Sequence, residues 1–121
     1  MLNRLMVYMR MVRRSMKATR LYSGARRLAG AGRTKEAFDL VKQALDSLPD
    51  PDPSVGDPSA GLVVVWTVFY AELAAKLGRP ADAHDAMRRA LRLATPPFSE
   101  NPKIQPYVTW LRRQLADDPH A

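Results

Sequence analysis

From Leu2 to Met16 the apolar residues Leu2, Leu5, Met6, Met9, Val12 and Met16 recur at three- and four-residue steps. That spacing sets them along one stripe of a helix and predicts a helix over 2–17. Arg10, Arg14 and Lys17 take a neighbouring face, while Val7, Tyr8 and Met11 widen the apolar surface. A second helical stretch carries Ala18, Leu21, Tyr22, Ala25, Leu28 and Ala29 and meets Gly30-Ala31-Gly32, where two glycines predict a stop. The pattern resumes at Thr34, expected to act as an N-cap, with Ala37, Leu40, Val41, Ala44, Leu45 and Leu48 facing inward before Pro49. Glu36 and Asp39 fall in the first turns of that helix, where carboxylates favour the positive end of its dipole.

Residues 50–60 are dense in Pro, Asp, Ser and Gly and read as an exposed loop. Beyond it, Val63, Val64, Val65, Trp66, Val68, Phe69 and Tyr70 would suit a strand on propensity alone. A lone strand would have no partner in this sequence, and the AELAAKLG that follows is a strong helix former. The segment is therefore expected to be a helix from Ala60 to Leu77, with Ser59 as its cap. Arg79-Pro80 opens the next helix, with Ala83, Met87, Ala90, Leu91 and Leu93 or Ala94 inward and Pro96-Pro97 as its end. A last helix over 106–116 offers Val108, Trp110, Leu111 and Leu115, and a short acidic tail follows.

Two stretches repeat. GRTKEAFDLVKQALDSLP from Gly32 and GRPADAHDAMRRALRLATP from Gly78 align without a gap, pairing Gly32 with Gly78, Arg33 with Arg79, Ala37 with Ala83, Ala44 with Ala90 and Leu45 with Leu91. A glycine turn followed by alanines that let paired helices approach resembles the second helix of a tetratricopeptide (TPR) unit. The resemblance covers about two thirds of the chain. The first helices match through Leu21, Gly24, Ala25 and Leu28, and through Thr67, Tyr70, Ala71 and Ala74. The two glycines lie 46 residues apart, against a family period of about 34, and the loop supplies the excess.

The fold expected from this resemblance is all-α: a single domain, 1–121, of two TPR-like helix-turn-helix units in an α-α superhelix, repeat 1 over 18–49 and repeat 2 over 61–95. Because two units are fewer than such arrays need, the helices at 2–17 and 106–116 are expected to cap them, or uncovered faces to self-associate. In TPR proteins the first helices line a concave groove. Carried over, that groove would be Tyr22, Arg26 and Ala29 from the first unit with Val65, Val68, Glu72 and Lys76 from the second. It lacks the lysine-asparagine pattern with which some chaperone-binding members clamp a terminal carboxylate.

Charge alters this picture at one end only. The net charge is +7, yet residues 1–42 hold eleven Lys/Arg against Glu36 and Asp39, so the rest of the chain is slightly acidic. The basic set Arg10, Arg13, Arg14, Lys17, Arg20, Arg26, Arg27 and Arg33 suits a solvated helix surface or a binding patch. An acidic or helical protein partner ranks first as its target, ahead of an anionic membrane surface; nucleic acid comes lower because no recognised module or aromatic stacking platform accompanies the charge. An Arg-rich, acid-poor start also resembles an organellar transit peptide, although no cleavage signal is visible. A composition 46% hydrophobic and 26% charged argues against wholesale disorder. The absence of cysteine excludes disulfides, thiolate metal sites and a catalytic thiol, and leaves the cytoplasm as the expected compartment.

The inventory for catalysis is thin. His84, between Asp82 and Asp85, is expected at the surface, and His120 in the tail. A carboxylate one residue away does not share a histidine's helix face, and no second histidine lies three or four positions off to complete a metal pair. No phosphate loop or nucleophile elbow is present. The expected function is a non-catalytic protein–protein interaction adaptor or assembly subunit, without cofactor or metal. Its alternative is a peripheral anionic-membrane or nucleic-acid binder acting through residues 1–35.

Overall fold

The computed structural model describes residues 2–48, 59–95 and 98–116, and among them every regular element is helical. The chain divides into two compact units, Met1–Pro49 and Asp50–Ala121. The boundary falls at Pro49, where a proline-dense stretch of the sequence begins. The loop at 50–58, Pro96, Pro97 and the tail with His120 lie outside the described residues, as do the side chains of Leu2, Val7, Tyr8, Met11 and Val12.

The first unit is a helical hairpin of α1 (Leu2–Gly30) and α2 (Thr34–Ser47). The expected helix over 2–17 is not a separate element: α1 runs unbroken for 29 residues, about 43 Å at 1.5 Å per residue. No proline interrupts it, and its first glycine is Gly24. What changes near residue 17 is the apolar face, not the backbone. Ala18 and Ala25 are fully buried, whereas at about 100° per residue Leu5, Met9 and Met16 fall on the opposite side of the helix and stay exposed.

Gly32 closes α1 at φ 80°. Its N–H donates to the Ala29 carbonyl at 3.1 Å, and the Arg33 N–H reaches back to Leu28 at 2.9 Å. This Schellman arrangement satisfies carbonyls that the helix end leaves over. The expected capping role of Thr34 is corrected: Arg33 occupies the N-cap, no side chain caps the helix, and Thr34 is its first residue. Arg33 instead pairs with Glu36 at 2.6 Å and Lys35 with Asp39 at 2.8 Å.

The hairpin register follows from Gly24. A Cβ there would sit 3.1 Å from Cδ2 of Leu40, and the two residues are equidistant from Gly32, so α2 returns antiparallel to α1. That register brings Ser47 beside Lys17 and leaves residues 2–16 beyond the end of α2. Ala37, Phe38, Val41, Ala44 and Leu45 are buried on α2, as is Leu48 just after it, and Leu40 is half-buried.

The second unit joins α3 (Ser59–Lys76), a 3-10 turn over Pro80–Ala83, α4 (His84–Leu93), a second 3-10 turn at Phe98–Glu100 and α5 (Gln105–Ala116). Helix α3 packs on both α4 and α5. It is apolar on nearly every side, and Val63, Val64, Trp66, Thr67, Val68, Tyr70, Ala71, Leu73 and Ala74 are all buried. Burial on that scale outweighs the few tenths of a kcal/mol that each β-branched residue costs in a helix. The Gly78 turn repeats the Gly32 turn: φ is 72°, Gly78 N–H donates to Ala75 at 3.0 Å, and Arg79 N–H to Ala74 at 2.9 Å. Arg79 then pairs with Asp82 at 2.6 Å, as Arg33 does with Glu36.

The shared register continues into the cores. Ala37 with Ala83, Val41 with Met87 and Ala44 with Ala90 are buried pairs, and Phe38 aligns with His84. His84 is therefore buried at 8% exposure, not at the surface as its polarity suggested. Helix α5 starts one residue before Pro106, after Asn101 Oδ1 accepts the Lys103 N–H at 2.9 Å, and buries Val108 and Leu111.

Two stability predictions follow from these features. Gly32→Ala or Gly78→Ala forces a side chain into the left-handed region and should cost about 1–2 kcal/mol each, read as a lower midpoint in denaturant unfolding followed by circular dichroism. The Thr67 hydroxyl is fully buried and has no hydrogen-bond partner among the described residues. Thr67→Val removes that unsatisfied group at nearly constant shape and should raise stability by about 1 kcal/mol; a lower midpoint for this variant would contradict the assignment.

Candidate interaction surface

Helix α1 carries no acidic residue, and its cations are close enough to repel one another. Arg10 and Arg14, like Arg13 and Lys17, stand one helical turn apart with like charge. Arg10, Arg13, Arg14, Lys17, Arg20, Arg26 and Arg27 are all exposed. Among the described residues, ion pairs form around Arg33, Lys35, Arg79 and Arg88, and none involves Arg10, Arg13, Arg14, Lys17, Arg20 or Arg27. The expected basic patch is thus a set of exposed cations on one helix, spread over more than one of its faces.

Apolar surface accompanies the charge. Leu5 is 56% exposed, Met6 52%, Met9 47% and Met16 52%. Just below them Arg13, Met16, Lys17, Arg20 and Leu21 of α1 line a shallow open hollow with Leu40 of α2, its walls basic and its floor apolar. Sequence reasoning identified the basic residues but missed Leu21 and Leu40 as the floor. The signal was Gly24, a helix-interior glycine that leaves room for Leu40. A second shallow hollow on α5, lined by Gln105, Pro106, Thr109, Trp110 and Arg113, was not anticipated either; Trp110 and Arg113, three residues apart on one helix face, were its trace.

The expected groove residues fall in two units. On α1, Tyr22 and Ala29 are half-buried and Arg26 is exposed; on α3, Val65 is half-buried and Glu72 and Lys76 are exposed. Val68, at 8% exposure, belongs to the core of its helix and has almost no surface to offer a ligand. The carboxylates flanking His84 are engaged elsewhere, Asp82 with Arg79 at 2.6 Å and Asp85 with Arg88 at 3.0 Å. Among the described residues no group of three or more His, Cys, Asp or Glu is placed to hold a metal ion. No helix among them is long and apolar enough to cross a membrane.

These features define an all-helical protein built on two glycine-turn hairpins. No family model, curated protein or solved structure matches the chain.

Exposure of the α1 thioethers can be read chemically. Brief peroxide treatment with peptide mass spectrometry should oxidise Met6, Met9 and Met16 well before Met87, which is 3% exposed. Equal rates at Met9 and Met87 would mean that the α1 face is covered.

Proposed function

We propose that the chain is a TPR-like, non-catalytic adaptor or assembly subunit that holds a segment of a partner protein against its helical hairpins. The observation that supports this reading best is the repeated turn. Gly32-Arg33 and Gly78-Arg79 share the same left-handed glycine, the same pair of backbone hydrogen bonds and the same arginine-carboxylate contact three residues on. Buried alanines follow each turn at matching positions. A repeated hairpin with small residues at its contact presents helix faces rather than an enclosed cavity, and such faces suit extended or helical segments.

On this reading the exposed, charged members of the first helices, Arg26 on α1 and Glu72 and Lys76 on α3, select the partner segment, with Tyr22, Ala29 and Val65 as its apolar footing. Val68 supports α3 from within. A homo-oligomer or a larger assembly is the same function with another subunit as the partner. The cytoplasm is the proposed compartment.

Site-specific photo-crosslinkers at Arg26, Glu72 and Lys76 in the full chain test this. Captured protein should link through these positions, and the double variant Arg26→Glu with Glu72→Lys should reduce capture at least about tenfold, as reversal of interface charges does. Capture that is unchanged in the double variant would count against the proposed face.

A further inference from the structure

Four of the five large apolar side chains that stand exposed among the described residues, Leu5, Met6, Met9 and Met16, lie on the first half of α1; the fifth is Tyr107. Their direction matters more than their number. Ala18 and Ala25 are fully buried on α1, and Gly24 faces Leu40 of α2. At about 100° per residue, Leu5, Met9 and Met16 fall on the reverse side together with Arg20 and Arg27, bordered by Met6 and Arg13. That face turns away from Ala18 and Ala25, and at Met16 and Arg20 it borders the hollow that Leu40 of α2 also lines. The first half of that face is apolar and the second half cationic.

We propose that α1 is an interfacial helix that seats this protein on an anionic membrane surface, with Leu5, Met9 and Met16 turned into the bilayer and Arg13, Arg20 and Arg27 against lipid phosphate.

Charge selects this occupant. A second copy of the chain would set one acid-free helix against another. A partner helix would also reach only the cations beside it, whereas those of α1 fan out from Arg20 on the outward face, through Arg10 and Lys17 on the flank, to Arg14 on the side of Ala18. An anionic surface gathers those of the outward face and its flank, because its field extends over a Debye length of roughly 10 Å. Each Lys or Arg held near such a surface strengthens binding roughly fivefold. The headgroup boundary also accepts leucine and methionine side chains to a depth of about 5–10 Å. Lying in the interface does not require a span, and α1 is not apolar enough to form one.

The test is sedimentation of the full chain with vesicles of phosphatidylcholine alone and of phosphatidylcholine with phosphatidylserine, at low and high salt, alongside binding to a duplex oligonucleotide and to an acidic helical peptide. Binding should favour the phosphatidylserine vesicles at least about tenfold and weaken as salt rises. Met9→Asp with Met16→Asp, both at exposed positions, should lower it by about tenfold or more. Arg13→Glu should cost clearly more than Arg14→Glu, which lies off the outward face. Far-UV circular dichroism checks that each variant keeps its helix. Vesicle binding without phosphatidylserine preference, binding indifferent to the methionine variant, or equal costs at Arg13 and Arg14 would each overturn the proposal. So would tighter binding to the oligonucleotide or to the acidic peptide than to the anionic vesicles.

Discussion

A residue that L side chains adopt only with strain sits at the end of the first helix in each unit. Gly32 and Gly78 take φ of 80° and 72°, and their conformation lets the next N–H reach back five residues to a carbonyl the helix would otherwise leave unpaired. The turn reverses the chain within three residues, so the following helix has to run back along the one before it. Register is then set by volume: Gly24 yields to Leu40, and Ala18 and Ala25 of α1 are buried together with Ala37 and Ala44 of α2. The register in turn decides which part of α1 is paired and which runs on past Ser47.

Close approach through alanine has a consequence for the core. Alanine contributes little apolar area, so in the first unit burial rests on Phe38, Val41 and Leu45 of α2 and on Leu48 just after it. Two helices can cover only one side of each other, and the far side of α1 has no covering element within the unit. The second unit has three helices, and α3 can be apolar on almost all sides because α4 and α5 both pack on it. The same turn thus joins a first helix buried on most sides in one unit and, in the other, a first helix on which Leu5, Met6, Met9 and Met16 stand exposed.

Much of this was legible in the residues. The glycine turns announced themselves because few other residues tolerate that backbone, and the 46-residue register between them extends to buried pairs such as Val41 with Met87. Helix α3 was legible despite its β-branched run, because a strand would have lacked a neighbour. The continuity of α1 was not. Its apolar stripe switches sides between Met16 and Ala18, and a change of phase reads like a change of element when only periodicity is followed; the absence of proline or glycine before Gly24 was the better guide. His84 was misplaced because its polarity was weighed without its alignment to Phe38, which is buried in the first hairpin. Val68 looked available for a groove because only one face of α3 was considered, and the helix is enclosed on several. The side-by-side placement of Leu21 and Leu40 was beyond any periodicity argument, since it depends on the pairing of two helices.

Charge gives the paired and unpaired halves of α1 different energetics. On α2 the Lys35–Asp39 contact, four residues apart with opposite sign, adds a few tenths of a kcal/mol to the helix. On α1 the same spacing joins Arg10 to Arg14 and Arg13 to Lys17, and each like-charged pair subtracts a similar amount. From Ala18 onward, packing against α2 offsets that loss. Leu5, Met6, Met9, Arg10, Arg13, Arg14 and Met16 stand exposed ahead of that stretch, and helices of about 12–15 residues are marginal in water even in favourable sequences. Anions placed along this segment would remove the repulsion and supply the missing stabilisation in one step. Binding at this face and helix stability are therefore coupled: whatever neutralises Arg10, Arg13, Arg14 and Lys17 also firms the helix that presents Met9 and Met16. The repulsion that costs the isolated chain stability is what makes an acid-free helix responsive to an anionic surface.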